Sequence, residues 1–455
     1  MSTMKKALLL ILLLLPIWLL AQATPFAVKA KTKYSASGLF GYTRIDSVKY
    51  MQFRYIQEFE IWKIGFGLDL DFLINNKTHK LRPDNWDNLG DIINKFYYIR
   101  YAKRGDRYYG HLGGFPGMTL GNGLIMQNYS NMLLYPEFRN TGLMLGMNPV
   151  WPTKPNFEVF TSNLEKFQIM SFTANCKPLP DSSVKILDEL ALGFSIVADR
   201  NQYGNLKDLS ADSLSHEIGK LDNRAAVVYG FGYTLPFVQT DKVTLGNYAE
   251  FSHINDYGSG VILPGIYADF NFLKVNLEYR IYTDKFTPAF FDKYYEEDRG
   301  TVQYVTSPID SSVSVNYLTK ESTLKQMKAS QGWRGSIQAF VFKKVKAKFA
   351  WQNVFGKELN TGKSLWMELW VDSQYKRLEN FALSYSKVNS DHLQIRKINE
   401  PNASVESSVT IRTYKKKLYL IANYAERYKD KNGDGKVNWA KETKRAWGVG
   451  VKVLF

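Results

Sequence analysis

One segment in the first quarter of the chain limits the folds that the sequence can adopt. Apolar residues occupy every second position from Trp62 to Phe72, and Lys63, Asp69 and Asp71 stand among the residues between them. Successive side chains of a β-strand point to opposite faces, so this strand has one apolar face and one face that needs water. Roughly eighteen to twenty segments alternate similarly, and most are long enough to cross a bilayer as tilted strands.

The last segment of the chain shows the same alternation and ends on an aromatic residue. One face is apolar and consists of Trp447, Val449, Val451 and Val453. The other face consists of Ala446, Gly448, Gly450 and Lys452, and the chain ends at Phe455. This ending resembles the closing strand of bacterial outer-membrane β-barrel proteins, where a C-terminal Phe after alternating apolar residues marks the chain for assembly. The resemblance implies that the barrel-assembly machinery is a partner.

The N-terminal segment predicts export. Lys5 and Lys6 precede an apolar stretch, and Ala21 to Ala23 give the small-x-small pattern of a cleavage site. Residues 1–23 are therefore predicted to be a signal peptide, cleaved near Ala23, and 24–455 one domain. No segment has the roughly 20 apolar residues that a membrane helix needs. In lipid, a β-structure satisfies its backbone only as a closed barrel.

The connections between the alternating segments fall into two classes. Tight ones are predicted around Ile61, Arg104, Phe272, Lys343, Gln374 and Lys415, and long ones at 74–93, 114–137, 200–223, 284–331, 389–403 and 428–443. The two classes alternate along most of the chain, as in a barrel with short periplasmic turns and long extracellular loops. We predict an all-β chain forming a single transmembrane antiparallel β-barrel of about 18 strands, within about 16 to 20, in the outer membrane of a Gram-negative bacterium.

The charge of the chain bears on its partners. The formal net charge is +16, and the predicted signal peptide removes Lys5 and Lys6 but no acid. A basic exported chain is expected to contact anions, such as lipopolysaccharide phosphates beside the outer-membrane lipid, or to form a pore that favours anions. The alternative is that the positive charge lies on an ordinary solvated surface without a specific partner. Nucleic acid is not expected for an exported protein. Cys176 is the only cysteine, which excludes an intramolecular disulfide.

The alternation also predicts which residues face the barrel lumen. The predicted charged lumen residues are Lys63, Asp69, Asp71, Lys274, Glu278, Arg280, Lys346 and Lys348. Many inward positions are glycine, so either the pore is open or a segment folds into it. Segment 114–137 is a candidate plug or else an additional strand. Segment 284–299, with five aromatic residues, is a candidate gate or ligand platform, or else a loop that packs over the barrel rim.

One short motif carries recognisable site chemistry. The segment from Asp430 to Asn438 resembles the calcium loops of EF-hand and dockerin modules, and the resemblance covers about a dozen residues. It implies a weak, structural Ca²⁺ site whose ligands are Asp430, Asn432, Asp434, the carbonyl of Lys436, Asn438 and Glu442. The motif departs from the pattern at Lys441, where a bidentate acid is expected. The alternative is a polar hairpin loop without metal.

Enzyme signatures are missing from the sequence. The five histidines have no metal-ligand spacing, and no Gly-x-Ser-x-Gly or phosphate-binding loop occurs. We therefore expect a non-enzyme of one of two classes. The first is a porin-like channel for small hydrophilic solutes, with a preference for anions. The second is a structural, adhesive or export component that acts through its extracellular loops.

Overall fold

The computed structural model describes residues 34–45, 48–82, 86, 92–135, 139–182, 184–209, 218, 221, 224–306, 313–341, 344–357, 362–375, 377–394, 398–413, 417–430, 435–440 and 442–454. The predicted signal peptide and Phe455 lie outside these residues. No helix in the described ranges is long and apolar enough to cross a membrane.

The main architectural element is one antiparallel sheet of 20 strands. Its strands are β1 (Tyr34–Ile45), β2 (Val48–Ile61), β3 (Ile64–Asn75), β4 (Phe96–Tyr101), β5 (Tyr108–Gly113), β8 (Gly142–Met147), β9 (Asn156–Thr161), β10 (Ile169–Cys176), β11 (Ala191–Asp199), β12 (Ala226–Gln239), β13 (Thr244–Ile254), β14 (Ser259–Asp269), β15 (Leu273–Tyr282), β18 (Ser330–Val341), β19 (Val345–Phe355), β20 (Lys363–Tyr375), β21 (Leu378–Ser390), β22 (Ala403–Arg412), β23 (Leu418–Tyr428) and β24 (Thr443–Leu454). Each strand pairs with the next in this order, and β1 pairs with β24 from Ser37 to Thr43, which closes the barrel.

Two hairpins lie outside the barrel wall. They are β6 (Met118–Leu120) with β7 (Met126–Tyr129), and β16 (Gly300–Thr306) with β17 (Val313–Thr319). Short helices are α1 (Gly204–Leu209), α2 (Tyr295–Asp298) and α3 (Lys320–Thr323), and single 3₁₀ turns cover Lys185–Glu189 and Leu324–Gln326. All five belong to connections between barrel strands.

The predicted fold class is confirmed, and the 20 strands lie two above the predicted 18 and at the upper limit of the predicted range. Strands β5, β8 and β9 have only six residues each. Six residues give three alternations, which is too few to separate a wall strand from an extended loop by sequence pattern.

The two faces of the strands differ in the way that a lipid-facing barrel requires. On β3, Gly65, Asp69 and Asp71 are buried toward the lumen, whereas Ile64 on the other face is 47% exposed. Large aromatic residues are also exposed outward near both ends of the barrel, for example Trp62 and Phe272 at one end and Trp333 and Phe355 at the other. An apolar band between two aromatic girdles is typical of transmembrane barrels.

The two ends of the barrel carry different connections. The turn end, where β1 begins and β24 ends, holds all six of the predicted tight connections. The opposite end, the loop end, holds all six of the predicted long ones, including the connections after β3, β5, β11, β15, β21 and β23. The asymmetry expected from the sequence is therefore present in the fold.

Candidate functional site

The lumen of the barrel holds the segment between β5 and β8, which we call the plug hairpin (114–135). Its strands β6 and β7 pair with each other and not with the wall. Its apolar side chains are almost completely buried and share one cluster with inward-facing wall residues such as Val228 and Ile254; they are Phe115, Met118, Leu120, Leu124, Ile125, Met126 and Tyr129. Of the two interpretations of 114–137, the plug is therefore correct.

The tip of the plug hairpin reaches far across the lumen. The backbone N–H groups of Asn122 and Leu124 donate to the carboxylate of Glu250 on β13, at 2.6 and 3.3 Å. Strands β9 to β12 lie between β8 and β13 in the wall, so the hairpin spans a large part of the ring. A cavity of 290 Å³ lies beside the tip, lined among others by Asn175, Gly193, Ser195, Gly230 and Gly232.

The base of the plug hairpin is held by buried charges on β2 and β3. Arg54 donates two hydrogen bonds to Asp69, at 2.7 and 2.6 Å, and Arg139, in the connection after the hairpin, donates to the same carboxylate. Tyr135 donates to Asp71 at 2.6 Å. Two of the predicted lumen residues, Asp69 and Asp71, are thus inside the barrel and fix the plug.

A second buried cluster surrounds Glu278 on β15. Its carboxylate accepts from Tyr248 at 2.8 Å, from Arg280 at 2.6 Å and from Arg334 at 3.1 Å. These residues come from β13, β15 and β18, so the cluster joins nearby strands across the inner face of the wall. Glu278 and Arg280, both predicted to face the lumen, neutralise each other there.

The remaining predicted lumen residues lie nearer the turn end. Lys63 is an exposed residue of the β2–β3 turn, beside the ring of Trp62, and does not belong to the wall. Lys274 pairs with Asp269 at 2.5 Å. Lys348 lies 3.5 Å from Glu368, and their side chains are 25% and 42% exposed. Lys346 stands opposite Phe340 and Trp370 in the register. The structure therefore does not bring all eight residues together.

The segment 284–299, which we call the bridging loop, also folds into the lumen. Its aromatic residues Phe286, Phe290, Phe291 and Tyr295 are buried in the same apolar cluster as the plug hairpin. The two segments are joined by backbone hydrogen bonds, including one from the Ala289 N–H to the Leu124 carbonyl at 2.7 Å. The bridging loop therefore packs against the plug at the loop end of the barrel, where Ile254 and Tyr282 of the same cluster end β13 and β15, in keeping with a loop that packs down over the barrel rim.

One end of the bridging loop is fixed by a cluster that we call the dry anchor: Tyr129, Asp199, Tyr295, Glu296 and Arg299. The Arg299 guanidinium is fully buried and lies 3.1 Å from Glu296 and 3.6 Å from Asp199, which ends β11. Tyr295 donates to Asp199 at 2.9 Å, and Tyr129 donates to Glu296. The anchor thus ties the loop to β11 and to the plug hairpin.

Adjacent residues of the same loop form a second cluster, the ionic latch: Glu297, Asp298, Arg427, Lys429 and Lys444. Arg427 donates to Glu297 through Nη1 and to Asp298 through Nη2, the latter at 2.5 Å. Lys429 lies 2.6 Å from Asp298, and Lys444 lies 3.7 Å from Glu297. Burial alone would raise the pKa of Glu297, but Lys429, Arg427 and Lys444 hold it at about 2.

The anchor and the latch lie on opposite walls of the barrel. Of the 20 strands in the ring, nine separate β11 from β23 in each direction. The four residues Glu296 to Arg299 therefore link walls that face each other across the lumen. The sequence pointed to segment 284–299 through its aromatic residues but not to Arg427, Lys429 and Lys444. The signal for these three cations was their position beside the last long loop.

The predicted calcium ligands fall partly outside the described residues, because Asn432 and Asp434 are among those not described. Asp430 accepts a hydrogen bond from the Gly435 N–H at 2.7 Å, and Glu442 accepts from the Asn438 N–H at 2.7 Å. Lys436 is exposed. Within the described part of the chain, no group of three or more His, Cys, Asp or Glu side chains is arranged to hold a metal. The calcium site stays a prediction.

Comparison with known proteins finds similarity only among solved structures. No protein-family model and no curated protein matches the chain. One similar structure is the siderophore receptor PirA from Acinetobacter baumannii, with a TM-score of 0.38 and 9% identity over 94% of this chain and 81% of that chain. Another is Pseudomonas aeruginosa OprD, with a TM-score of 0.34 and 8% identity over 93% of this chain and 94% of that chain. A third is Wzi, an Escherichia coli outer-membrane protein involved in group 1 capsule assembly, with a TM-score of 0.35 and 11% identity over 93% of this chain and 84% of that chain. All are remote, so the barrel assignment rests on the strand pairing itself.

Proposed function

We propose that the protein is a porin-like channel of the bacterial outer membrane, which passes small hydrophilic solutes through a lumen narrowed by the plug hairpin and the bridging loop. The observation that carries the proposal is the solvent access of inward-facing charges on β19 and β20. The side chains of Lys348 and Glu368 point into the lumen and yet are 25% and 42% exposed. Charged side chains remain exposed inside a barrel only where water reaches them.

The lumen is thus divided into a filled part and a wet part. The inward faces of β10 to β15 pack against the plug hairpin and the bridging loop, with Val197, Val228 and Ile262 essentially buried. The inward face of β19 and β20 carries Lys346, Lys348 and Glu368 together with Trp366 and Trp370. A restricted aqueous path along this wall would favour small solutes over large ones, because the two inward segments occupy the remaining cross-section.

A preference for anions is supported by charge. The whole chain has a formal net charge of +16. Lys346 faces the lumen between Phe340 and Trp370 in the register, whereas Lys348 is balanced by Glu368. Fixed positive charge along a water-filled path raises the local concentration of anions. Lys346 is therefore the residue that we expect to influence selectivity most on this wall.

Single-channel recording in planar bilayers tests the proposal. The purified protein should give discrete conductance steps, and its reversal potential in a KCl gradient should show a preference for chloride. Lys346→Glu should shift that potential toward cation selectivity, whereas Lys242→Glu, in an exposed turn between β12 and β13, is the matched control. A protein that inserts but shows no conductance would overturn the proposal.

A second function, as an adhesive, structural or export component, is supported by the hairpin of β16 and β17. Among the described residues, its two strands pair with each other and with no further strand, and Val315 on it is 43% exposed. An exposed hairpin with unpaired edges is a surface to which another chain can add a strand. Absence of conductance together with binding of a partner through this hairpin would favour the second function.

Membrane placement and assembly partners belong to the same proposal. The outward apolar face predicts residence in the outer-membrane lipid, with lipopolysaccharide around the loop end. Leu68→Arg should impair insertion, because a charge on the lipid face near mid-bilayer costs about 2–4 kcal/mol. Deletion of Phe455 should slow assembly if the last strand is the assembly signal. Recovery of the wild-type chain in a soluble fraction would contradict the placement.

A further inference from the structure

Three basic side chains cluster at the loop end of β23 and β24. Arg427 and Lys444 stand directly opposite each other in the strand register, and Lys429 follows the last residue of β23. Like charges directly opposite each other destabilise an antiparallel pair. This arrangement therefore needs an anion on the inner face of the wall.

The anion that satisfies the cluster comes from the bridging loop. One guanidinium, that of Arg427, divides its hydrogen bonds between the carboxylates of Glu297 and Asp298. Lys429 approaches the same two carboxylates, at 3.7 and 2.6 Å. Two adjacent carboxylates thus occupy a site formed by three cations.

This site is accessible to water, unlike the anchor beside it. The side chains of Arg427 and Lys429 are 16% and 26% exposed, and that of Lys444 is 47% exposed. The next residue, Arg299, is completely buried and holds the loop to β11. The two carboxylates can therefore leave the cations by a local movement while the loop stays anchored.

We infer that Arg427, Lys429 and Lys444 form a binding site for dianionic solutes at the loop-side mouth of the lumen, and that Glu297 and Asp298 occupy it as internal substitutes. The inference rests on the proposed channel function, since it names the solute class that the mouth selects. The ligand chemistry is two negatively charged oxygen groups on one small molecule, which Arg427 can bridge as it bridges the two carboxylates. Such a solute enters by displacing the internal pair.

The test is a binding measurement that does not depend on conduction. Isothermal titration calorimetry of the full detergent-solubilised chain with succinate, against neutral succinamide at equal ionic strength, should show binding of succinate only. Glu297→Gln with Asp298→Asn removes the internal competitor and keeps side-chain size. It should tighten succinate binding about tenfold, because the apparent affinity rises with the fraction of open sites.

Two further variants keep the test decisive. Glu165→Gln with Asp241→Asn, a matched removal of two exposed acids elsewhere, should leave the affinity unchanged. The triple variant, in which Arg427→Gln is added to Glu297→Gln and Asp298→Asn, should not bind succinate. The heat-dependent gel shift of each variant reports whether its barrel is folded. Equal succinate affinity in all folded variants, or equal binding of succinamide, would overturn the inference. Succinate binding without conductance would instead overturn only the channel function.

Discussion

Two sides of one short helix, α2, show what solvent does to the same kind of ion pair. In the dry anchor, Arg299 is fully buried between Glu296 and Asp199. In the ionic latch, one residue away, Glu297 and Asp298 meet Arg427, Lys429 and Lys444 at partly exposed side chains. A buried pair that loses one partner leaves an uncompensated charge, whereas an exposed pair loses little because water replaces the partner. The anchor is therefore suited to hold the loop, and the latch to release it.

The largest expected effect is that of Arg299→Met. This change leaves the Asp199 and Glu296 carboxylates buried without their cation, at a cost of about 3–5 kcal/mol. Native-state hydrogen exchange at the Ala289 and Phe291 amides, which bond to the plug hairpin, should accelerate about a hundredfold or more. The same readout measures how firmly the bridging loop stays docked.

Arg427→Met is the matched control for that experiment. It removes a guanidinium of the latch, whose side chains are partly exposed, so the expected cost is smaller than at the fully buried Arg299. Exchange at Ala289 and Phe291 should then change less than about tenfold. If the two arginine variants accelerate exchange equally, solvent access does not distinguish the anchor from the latch.

A smaller effect is expected from acid. The pKa of Glu297 is held at about 2, below its ordinary value of 4.5, by Lys429, Arg427 and Lys444. A group with a depressed pKa stabilises the docked state above the ordinary pKa, and that contribution is lost as the pH falls toward the lowered value. The latch should therefore be intact above about pH 4.5 and open progressively between pH 4.5 and about 2.

The measurement is exchange at the Asp298 and Arg299 amides, compared at pH values across this window after correction for intrinsic exchange rates. The variant with Glu297→Gln and Asp298→Asn should lose most of the dependence, since neither residue then titrates. A wild-type profile that stays flat across the window would show that the carboxylates do not hold the loop.

Salt should have a weaker effect than acid. The Debye length falls from about 8 Å at physiological ionic strength to about 3 Å at 1 M, which screens exposed pairs much more than buried ones. Concentrated NaCl should accelerate exchange a few-fold at the helix amides beside the latch and leave the Ala289 amide unchanged. Equal acceleration at both places would indicate that the anchor is also wet.

The barrel could be predicted from the sequence because alternation acts locally. On β3, each neighbour in Leu68–Asp69 or Leu70–Asp71 reports its own face, and the structure buries the aspartates and leaves the apolar residues outward. The tight and long connections also follow from composition along the chain. Only the strand number was left open by two to each side of 18, since six-residue strands such as β5 contain few alternations.

The latch could not be predicted in the same way. Arg427 and Glu297 are 130 residues apart and lie on different elements, so no local pattern connects them. Alternation predicts that Arg427 faces inward on β23, but it does not say which loop enters the lumen to meet it. Conversely, the calcium motif is a local pattern, and it is visible in the sequence although two of its five side-chain ligands lie outside the described residues.

The smallest expected effect is that of calcium. A calcium ion bound in the loop between Lys429 and Lys444 would stabilise the latch but not the anchor. The loop with Asp430, Asn432, Asp434 and the Lys436 carbonyl begins after Lys429 and ends shortly before Lys444, so its order affects where both cations lie. The acid missing at Lys441 removes a bidentate ligand, so the expected dissociation constant is about 10⁻⁴ to 10⁻³ M.

Millimolar Ca²⁺, but not Mg²⁺ at equal ionic strength, should slow tryptic cleavage of this loop. It should also slow exchange beside the latch up to about twofold and leave the anchor amides unchanged. Asp430→Asn with Asp434→Asn should remove both effects, and cleavage that is indifferent to Ca²⁺ in the wild-type chain would favour the polar hairpin without metal.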